Sequence, residues 1–136
     1  MKSLSILLID DDEIERIKFK KVSQETKFIS TFFEAKNGEN AITLLKNAQY
    51  SFDLIITDLH MPIMDGFEFL EKLKRNKKFK NIPVVVMSSS KDHKDLKKCF
   101  NLGVSGYFTK CLQSSEYTGN VVSLLDYWQK SELANL

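Results

Sequence analysis

The stretch Ile6-Leu7-Leu8-Ile9-Asp10-Asp11-Asp12 joins a short, uninterrupted apolar run to three successive aspartates. An apolar run without polar alternation is typical of a strand that is buried on both faces, as in a parallel sheet covered by helices. Two further runs of this kind cover Leu54–Thr57 and Val84–Met87, and weaker strand patterns cover Ser30–Glu34 and Gly106–Thr109. The sequence therefore predicts five strands.

Stretches with the helical spacing of apolar residues separate these strands. They cover Glu13–Glu25, Glu39–Ala48, Gly66–Asn76, Lys91–Leu102 and Ser115–Lys130. In the first of them we expect Ile14, Ile17 and Val22 to share the buried face, and we expect Gly103 to end the fourth. The regular alternation predicts an α/β fold with a parallel sheet and helices on both of its faces.

Size and composition predict a single domain over residues 1–136, with a core at about 4–130 and no output domain. A chain of 136 residues with 43% apolar content can build one ordinary core. Its net charge of +2 does not indicate a partner. Neither an export signal nor a membrane span is expected, because aspartates end the first apolar run and no run approaches about 20 residues. Cys99 and Cys111 lack a CxxC spacing, which favours free thiols in a reducing compartment, the cytoplasm.

Polar side chains come directly after the strands, at the sheet edge where α/β proteins bind ligands. They are Asp10, Asp11, Asp12, Asp58, Ser88 and Lys110. Carboxylates that converge on one pocket repel each other unless a cation neutralises them. Mg²⁺ suits such a site, because it takes one or two carboxylates together with phosphate oxygens. The ammonium of Lys110 and the hydroxyl of Ser88 could bind a phosphoryl group carried by Asp58, so the pattern predicts a cation site beside a phosphate site.

Over nearly its whole length the chain resembles the receiver domains of two-component response regulators, in particular the single-domain, chemotaxis-regulator-like ones. Five segments carry the resemblance, in order: Ile6–Asp11, Asp53–Asp58, Met61-Pro62 with Asp65-Gly66, Pro83–Ser88, and Gly103–Tyr107 followed by Lys110. The resemblance implies a flavodoxin-like sheet with strand order 2-1-3-4-5.

The resemblance also implies the components of the phosphorylation site. Asp58 would be the phosphoacceptor. Asp11 would bind Mg²⁺ directly, Asp10 would act on the metal through water, and the backbone carbonyl of His60 would be a further ligand.

Five other side chains receive roles from the same resemblance. Ser88 would be the hydroxyl switch residue and Lys110 the lysine that senses the phosphate. Tyr107 would report the state through its rotamer, a role favoured over the simpler one of a core residue beside Phe108. His60 and Ser90 would flank the line of water attack, and because neither is an acid or an amide we expect slow to moderate self-hydrolysis.

The function implied is that of a signalling switch rather than an enzyme acting on an external substrate. A histidine kinase or phosphotransfer protein would donate the phosphoryl group, and an effector protein would respond in trans. The chain could also form a weak homodimer. An aspartyl-phosphate phosphatase is an alternative, but it would need an acid where His60 stands. A flavin carrier is another, but Asp10-Asp11-Asp12 would repel its phosphate.

Several residues have simpler explanations. Asp12 and Asp65 are expected to cap the first and third helices rather than to bind metal. The two histidines, His60 and His93, and the two cysteines lack the spacing of a zinc site. A basic cluster comprises Lys72, Lys74, Arg75, Lys77, Lys78 and Lys80. Such a run at a helix end is usually solvated, so nucleic acid is not an expected partner.

One departure from the family pattern concerns the residue after Lys110. Receivers usually have a proline there, often after a cis peptide bond, whereas this chain has Cys111. A cis bond before a residue other than proline costs about 2.5–4 kcal/mol. We therefore expect Lys110 to reach the site along a different loop path.

Overall fold

The predicted fold is confirmed in a computed structural model, which describes residues 3–110 and 113–133. The strands are β1 (Ser3–Ile9), β2 (Ile29–Ala35), β3 (Leu54–Thr57), β4 (Val84–Ser88) and β5 (Gly106–Thr109). The helices are α1 (Glu13–Gln24), α2 (Gly38–Lys46), α3 (Gly66–Arg75), α4 (His93–Asn101) and α5 (Ser114–Lys130). All strand pairs are parallel, and the sheet order is β2-β1-β3-β4-β5.

The sheet separates two hydrophobic cores because successive side chains of a strand point to opposite faces. In β3, Ile55 packs into the core formed with α2, α3 and α4, whereas Leu54 and Ile56 pack into the core formed with α1 and α5. All four residues of β3 are buried. Full burial on both faces explains why the central strands are apolar without alternation.

The predicted buried face of α1 is wrong for two of its three residues. Ile14 and Ile17 are 72% and 50% exposed, and the buried residues of the helix are Phe19, Val22 and Ser23. Phe19 stacks edge-on against Phe32 of β2, with ring centroids 5.8 Å apart. The face of α1 that packs over the sheet is therefore the one with Phe19 and Val22, while Ile14 and Ile17 lie towards solvent.

The predicted helix caps are confirmed. Asp12 accepts a hydrogen bond from the amide of Ile14 at 2.9 Å, and Asp65 accepts one from Glu68 at 3.0 Å. Each carboxylate satisfies an amide that the first helical turn leaves unpaired. Gly103, with φ +88°, follows α4, and its amide donates to the carbonyl of Phe100 at 3.0 Å. This left-handed position suits glycine.

Helix α2 begins at Gly38, one residue before the predicted start at Glu39, and Asn37 caps it by accepting from the amide of Asn40. The Lys110–Cys111 peptide bond lies outside the described residues. Within the parts of the chain that the structure describes, no helix is long and apolar enough to cross a membrane.

Candidate phosphorylation and metal site

Three carboxylates meet at the carboxyl edge of the sheet. Asp10 and Asp11 follow β1, and Asp58 follows β3, which is the neighbour of β1 with Ile9 paired to Thr57. One carboxylate oxygen from each aspartate lies within 4.8 Å of the others. Among residues 3–110 and 113–133, this is the one group of three or more acids, histidines or cysteines close enough to hold a metal ion.

Lys110 brings a positive charge into this acidic cluster. Its Nζ atom lies 2.8 Å from Oδ2 of Asp10 and 3.1 Å from Oδ2 of Asp58. The backbone amide of Lys110 donates to the carbonyl of Ser88 at 2.8 Å, which continues the pairing of β5 with β4. Burial alone would lower the pKa of Lys110, but its hydrogen bond to Asp10 and the charges of Asp58 and Asp10 outweigh that effect and raise it. The ammonium is therefore charged at neutral pH.

Asp10 is the buried member of the cluster. Desolvation raises the pKa of its carboxyl, although the hydrogen bonds from Lys110 and from the amide of Asp12 oppose the rise. The amide of Asp12 lies 3.0 Å from Oδ1 of Asp10. A cation in this pocket would favour the ionised form of Asp10.

Arg16 fixes the loop that carries the acidic residues. Its guanidinium donates to the backbone carbonyl of Asp10 at 2.5 Å and to Glu34 of β2 at 3.0 Å. Lys20 also pairs with Glu34, at 2.8 Å. The guanidinium thus connects the β1–α1 loop to the neighbouring strand, which limits the positions open to Asp10.

The segment after Asp58 is held close to the start of α3. Oδ1 of Asp58 accepts from the amide of Leu59 at 2.7 Å, and the amide of Gly66 donates to the carbonyl of Leu59 at 2.8 Å. A Cβ atom on Gly66 would lie 2.4 Å from the backbone oxygen of Asp58. Only glycine permits this approach, which explains the residue that follows the Asp65 cap.

The predicted switch residues lie together at the ends of β4 and β5. Ser88 is fully buried, and its Oγ accepts from the amide of Ser90 at 3.1 Å. The hydroxyl of Tyr107 donates to the carbonyl of Ser90 at 2.9 Å, while its ring packs against the core. Burial raises the pKa of the Tyr107 hydroxyl, so it remains a hydrogen-bond donor at neutral pH.

Asp95 is a site residue that sequence reasoning missed. It lies in the first turn of α4, where its Oδ2 accepts from the hydroxyl of Ser90 at 2.6 Å and lies 3.5 Å from Nε2 of His60. The sequence offered no acid at the positions of His60 and Ser90, yet an acid reaches both of them from a helix further along the chain. Its spacing matches no part of the family motif, and no sequence signal identified it.

His93 and Cys99 do not join a metal site in the described part of the chain. Cys99 is a free, buried thiol as predicted, and burial raises its pKa to about 11. A thiol that is buried and protonated is unreactive. Cys111 lies outside the described residues.

Comparison with known proteins assigns the family. A sequence model described as the response regulator receiver domain matches residues 6–121. The chain belongs to this family. Its members are two-component response regulators, in which an aspartate accepts a phosphoryl group during signal transduction.

Two solved structures and one curated relative illustrate the similarity. The phosphorylated cyanobacterial phytochrome response regulator RcpA aligns with a TM-score of 0.90 and 26% identity, covering 98% of this chain and 99% of that one. The Mn²⁺-bound form of response regulator Rcp1 aligns with a TM-score of 0.87 and 26% identity, covering 96% and 98%. The probable transcriptional regulator ycf29 of Pyropia yezoensis is 34% identical over 137 residues, covering 98% of this chain.

The coverage of curated relatives is uneven. The chain spans 59% of the length of the Pyropia yezoensis protein and 57% of that of a similar protein from Porphyra purpurea. The part of these relatives that matches this chain includes the receiver domain, and the rest of their length has no counterpart in the alignment. The acidic cluster, considered with the Mn²⁺-bound relative, is consistent with divalent metal binding.

Proposed function

We propose that Asp58 is the phosphoacceptor and that phosphorylation at this residue is the signal the protein transmits. The observation that carries the proposal is the convergence of Asp10, Asp11 and Lys110 on the Asp58 carboxylate. The Asp58 carboxylate, held beside an ammonium, can present one oxygen to an incoming phosphorus atom, and a divalent cation would offset the remaining negative charge of the three acids. Positioning and charge neutralisation are most of what phosphoryl transfer requires.

The proposed metal is Mg²⁺, held by Asp11 and Asp58 directly, by Asp10 through water, and by the backbone carbonyl of His60. All of these ligands are oxygens, which suits a hard divalent ion that retains several waters. When bound, the ion neutralises the charge on the phosphoryl oxygens. The side chains of this chain orient the Asp58 carboxylate, and the Lys110 ammonium beside it offsets part of its negative charge.

Ser88 and Lys110 are the proposed contacts to the phosphoryl group. Ser88 Oγ accepts from the amide of Ser90, and its hydroxyl also interacts with that of Tyr107. A rotation of the Ser88 hydroxyl would exchange this second contact for one to a phosphoryl oxygen. Lys110 already lies within hydrogen-bonding distance of Asp58. A phosphoryl group adds about −1.5 to −2 charges and offers both side chains a stronger acceptor than the carboxylate.

Tyr107 is proposed to couple this site to a partner surface. Its hydroxyl is bonded to Ser90, two residues after Ser88, so a shift of Ser88 towards the phosphoryl group would disturb that bond. The surface affected comprises α4, β5 and α5, where Phe100 and Tyr127 are exposed. We propose that it binds an effector protein in trans, or weakly a second copy of the chain, more tightly after phosphorylation.

The proposed donor is a histidine kinase or a phosphotransfer protein, and the receiver domain is proposed to act as a signalling switch rather than as an enzyme on an external substrate. The cytoplasmic location stays a prediction from the sequence. Incubation with acetyl phosphate, followed by intact-mass measurement, tests the proposed function. One added phosphoryl group that requires Mg²⁺ is the expected result, and an unchanged mass with Mg²⁺ present would contradict it.

A further inference from the structure

Asp95 connects the two loops that border the phosphorylation site. His60 belongs to the β3–α3 loop and comes two residues after Asp58, and Ser90 belongs to the β4–α4 loop and comes two residues after Ser88. Oδ2 of Asp95 lies 2.6 Å from Ser90 Oγ and 3.5 Å from His60 Nε2. Its side chain is 23% exposed, so water screens these contacts only in part.

The hydroxyl of Ser90 has no free hydrogen in this arrangement. The hydroxyl donates a hydrogen bond to Asp95, and its oxygen accepts one from the amide of Asp92 at 3.3 Å. The backbone of Ser90 is held as well, because its amide donates to Ser88 Oγ and its carbonyl accepts from Tyr107. A hydroxyl fixed in this way cannot also donate to a water molecule above Asp58.

The imidazole of His60 is drawn to the same carboxylate. The ring also lies edge-on to Phe67 of α3, with centroids 6.3 Å apart, and the ammonium of Lys98 lies 4.5 Å above the Phe67 ring. These contacts place the His60 side chain, which is 62% exposed, on the side of α3 and α4. One residue of α4 thus contacts both Ser90 and His60, which come two positions after Ser88 and Asp58.

We propose that Asp95 is a positioning residue that prolongs the phosphorylated state by withholding Ser90 and His60 from the attacking water. The inference rests on the proposed function of Asp58. It assigns to α4, part of the proposed partner surface, a direct influence on how long the signal lasts.

The reaction concerned is hydrolysis of the acyl phosphate. The oxygen of a water molecule forms a bond to phosphorus while the bond from phosphorus to the Asp58 oxygen breaks. The bonding electrons return to Asp58 as its carboxylate, and one water proton passes to solvent, leaving inorganic phosphate. A side chain that hydrogen-bonds the incoming water speeds this step by orienting it, and side chains held elsewhere do not.

The decay rate of phosphorylated protein after removal of acetyl phosphate tests the inference. Asp95→Ala releases Ser90 and His60, and we expect decay to accelerate about 3- to 10-fold, the effect of one or two newly available hydrogen bonds. In a His60→Ala/Ser90→Ala background the same substitution should change the rate by less than about twofold, because nothing remains to be released. Glu39→Ala, which removes an acid from the first turn of α2, outside the proposed partner surface, is the matched control and should leave decay unchanged.

A second variant covers a failure of Asp95→Ala to fold. Asp95→Asn keeps the shape of the side chain but replaces a charge-assisted hydrogen bond with one roughly half as strong, so about twofold faster decay is expected. Unchanged or slower decay in the folded variant overturns the inference, as does equal acceleration in the double-alanine background. Absence of labelling in the wild-type protein would instead overturn the proposed function itself.

Discussion

The ammonium of Lys110 lies 3.1 Å from the carboxylate of Asp58, although 52 residues separate them along the chain. Lys110 directly follows β5 and Asp58 directly follows β3, and β4 lies between these two strands in the sheet. The contact therefore crosses one strand at the carboxyl edge, where the parallel arrangement places all strand ends. This geometry puts a cation beside the proposed acceptor before any phosphoryl group arrives.

Metal binding should depend on Asp11 and not on Asp12. We expect Asp11→Asn to weaken Mg²⁺ binding by at least about tenfold, because the site loses a charged ligand. Asp12→Asn is the matched control: asparagine still caps α1, and the same unit of charge is removed one residue away. Titration calorimetry with Mg²⁺ measures both. Equal weakening by the two variants would indicate a general charge effect rather than ligation by Asp11.

The loop after Asp58 contains a strained residue. Ile63 has φ +69° and is 76% exposed, and the amide of Met64 donates across it to the carbonyl of Pro62 at 2.7 Å. A β-branched side chain rarely adopts positive φ, so Ile63→Gly should raise the free energy of unfolding by about 0.5–1 kcal/mol. Ile29→Gly, in a strand with ordinary φ, should lower it. Urea unfolding compares them, and a destabilised Ile63→Gly variant would contradict the strain.

Glu34 should stabilise the fold in a pH-dependent way. Hydrogen bonds from Lys20 and Arg16 lower its pKa below the usual 4.5. Its contribution is therefore present above about pH 4.5 and is lost as the pH falls through the lower folded-state pKa. Because the ion pairs of Glu34 with Lys20 and Arg16 are partly exposed, Glu34→Gln should reduce the free energy of unfolding by only about 0.5–1 kcal/mol at pH 7.

Urea unfolding at several pH values measures this effect. The difference between wild type and Glu34→Gln should shrink in acid and at high salt. It should also shrink when Lys20 is already replaced by glutamine, which isolates the pair interaction. A difference that is independent of pH and of Lys20 would show that Glu34 acts through packing instead.

The sequence predicts the fold and the main components of the site because both are encoded by short local signals. The buried runs ending at Ile9 and Thr57 identify two central strands, and the resemblance to receiver domains makes them neighbours, so the acids that follow them share one edge of the sheet. The caps at Asp12 and Asp65 are equally local, since a capping side chain bonds an amide only two or three residues away.

Other features depend on packing between elements that are distant in sequence. The spacing of Ile14 and Ile17 fits a helical face as well as Phe19 and Val22 do, and only the space over β2 decides between them. Asp95 is one charged residue in a helix rich in charge, and its approach to His60 follows from the relative placement of α3 and α4. Neither outcome has a signature within a short window of sequence.

Phosphorylation should change the surface formed by α4, β5 and α5. We expect beryllofluoride with Mg²⁺ to shift backbone NMR signals between Lys91 and Trp128 as well as at Asp58. Moving the ratio of active to inactive conformations from 1:99 to 99:1 needs about 5.5 kcal/mol of differential stabilisation by the phosphoryl group. If the group supplies less, a strong response requires that the active conformation is already partly populated, so we expect partial activity before phosphorylation. Large changes at Asp58 alongside unchanged signals from Lys91 to Trp128 would contradict coupling to this surface.

Peptide mapping by mass spectrometry after acetyl phosphate treatment with Mg²⁺ identifies the residue that accepts the phosphoryl group. We expect one phosphoryl group on the peptide that contains Asp58, and none on Asp58→Asn. Asp65→Asn is the matched control, because asparagine keeps the cap of α3, and it should be labelled like the wild type. Labelling of Asp58→Asn to the wild-type extent would show that a residue other than Asp58 accepts the phosphoryl group.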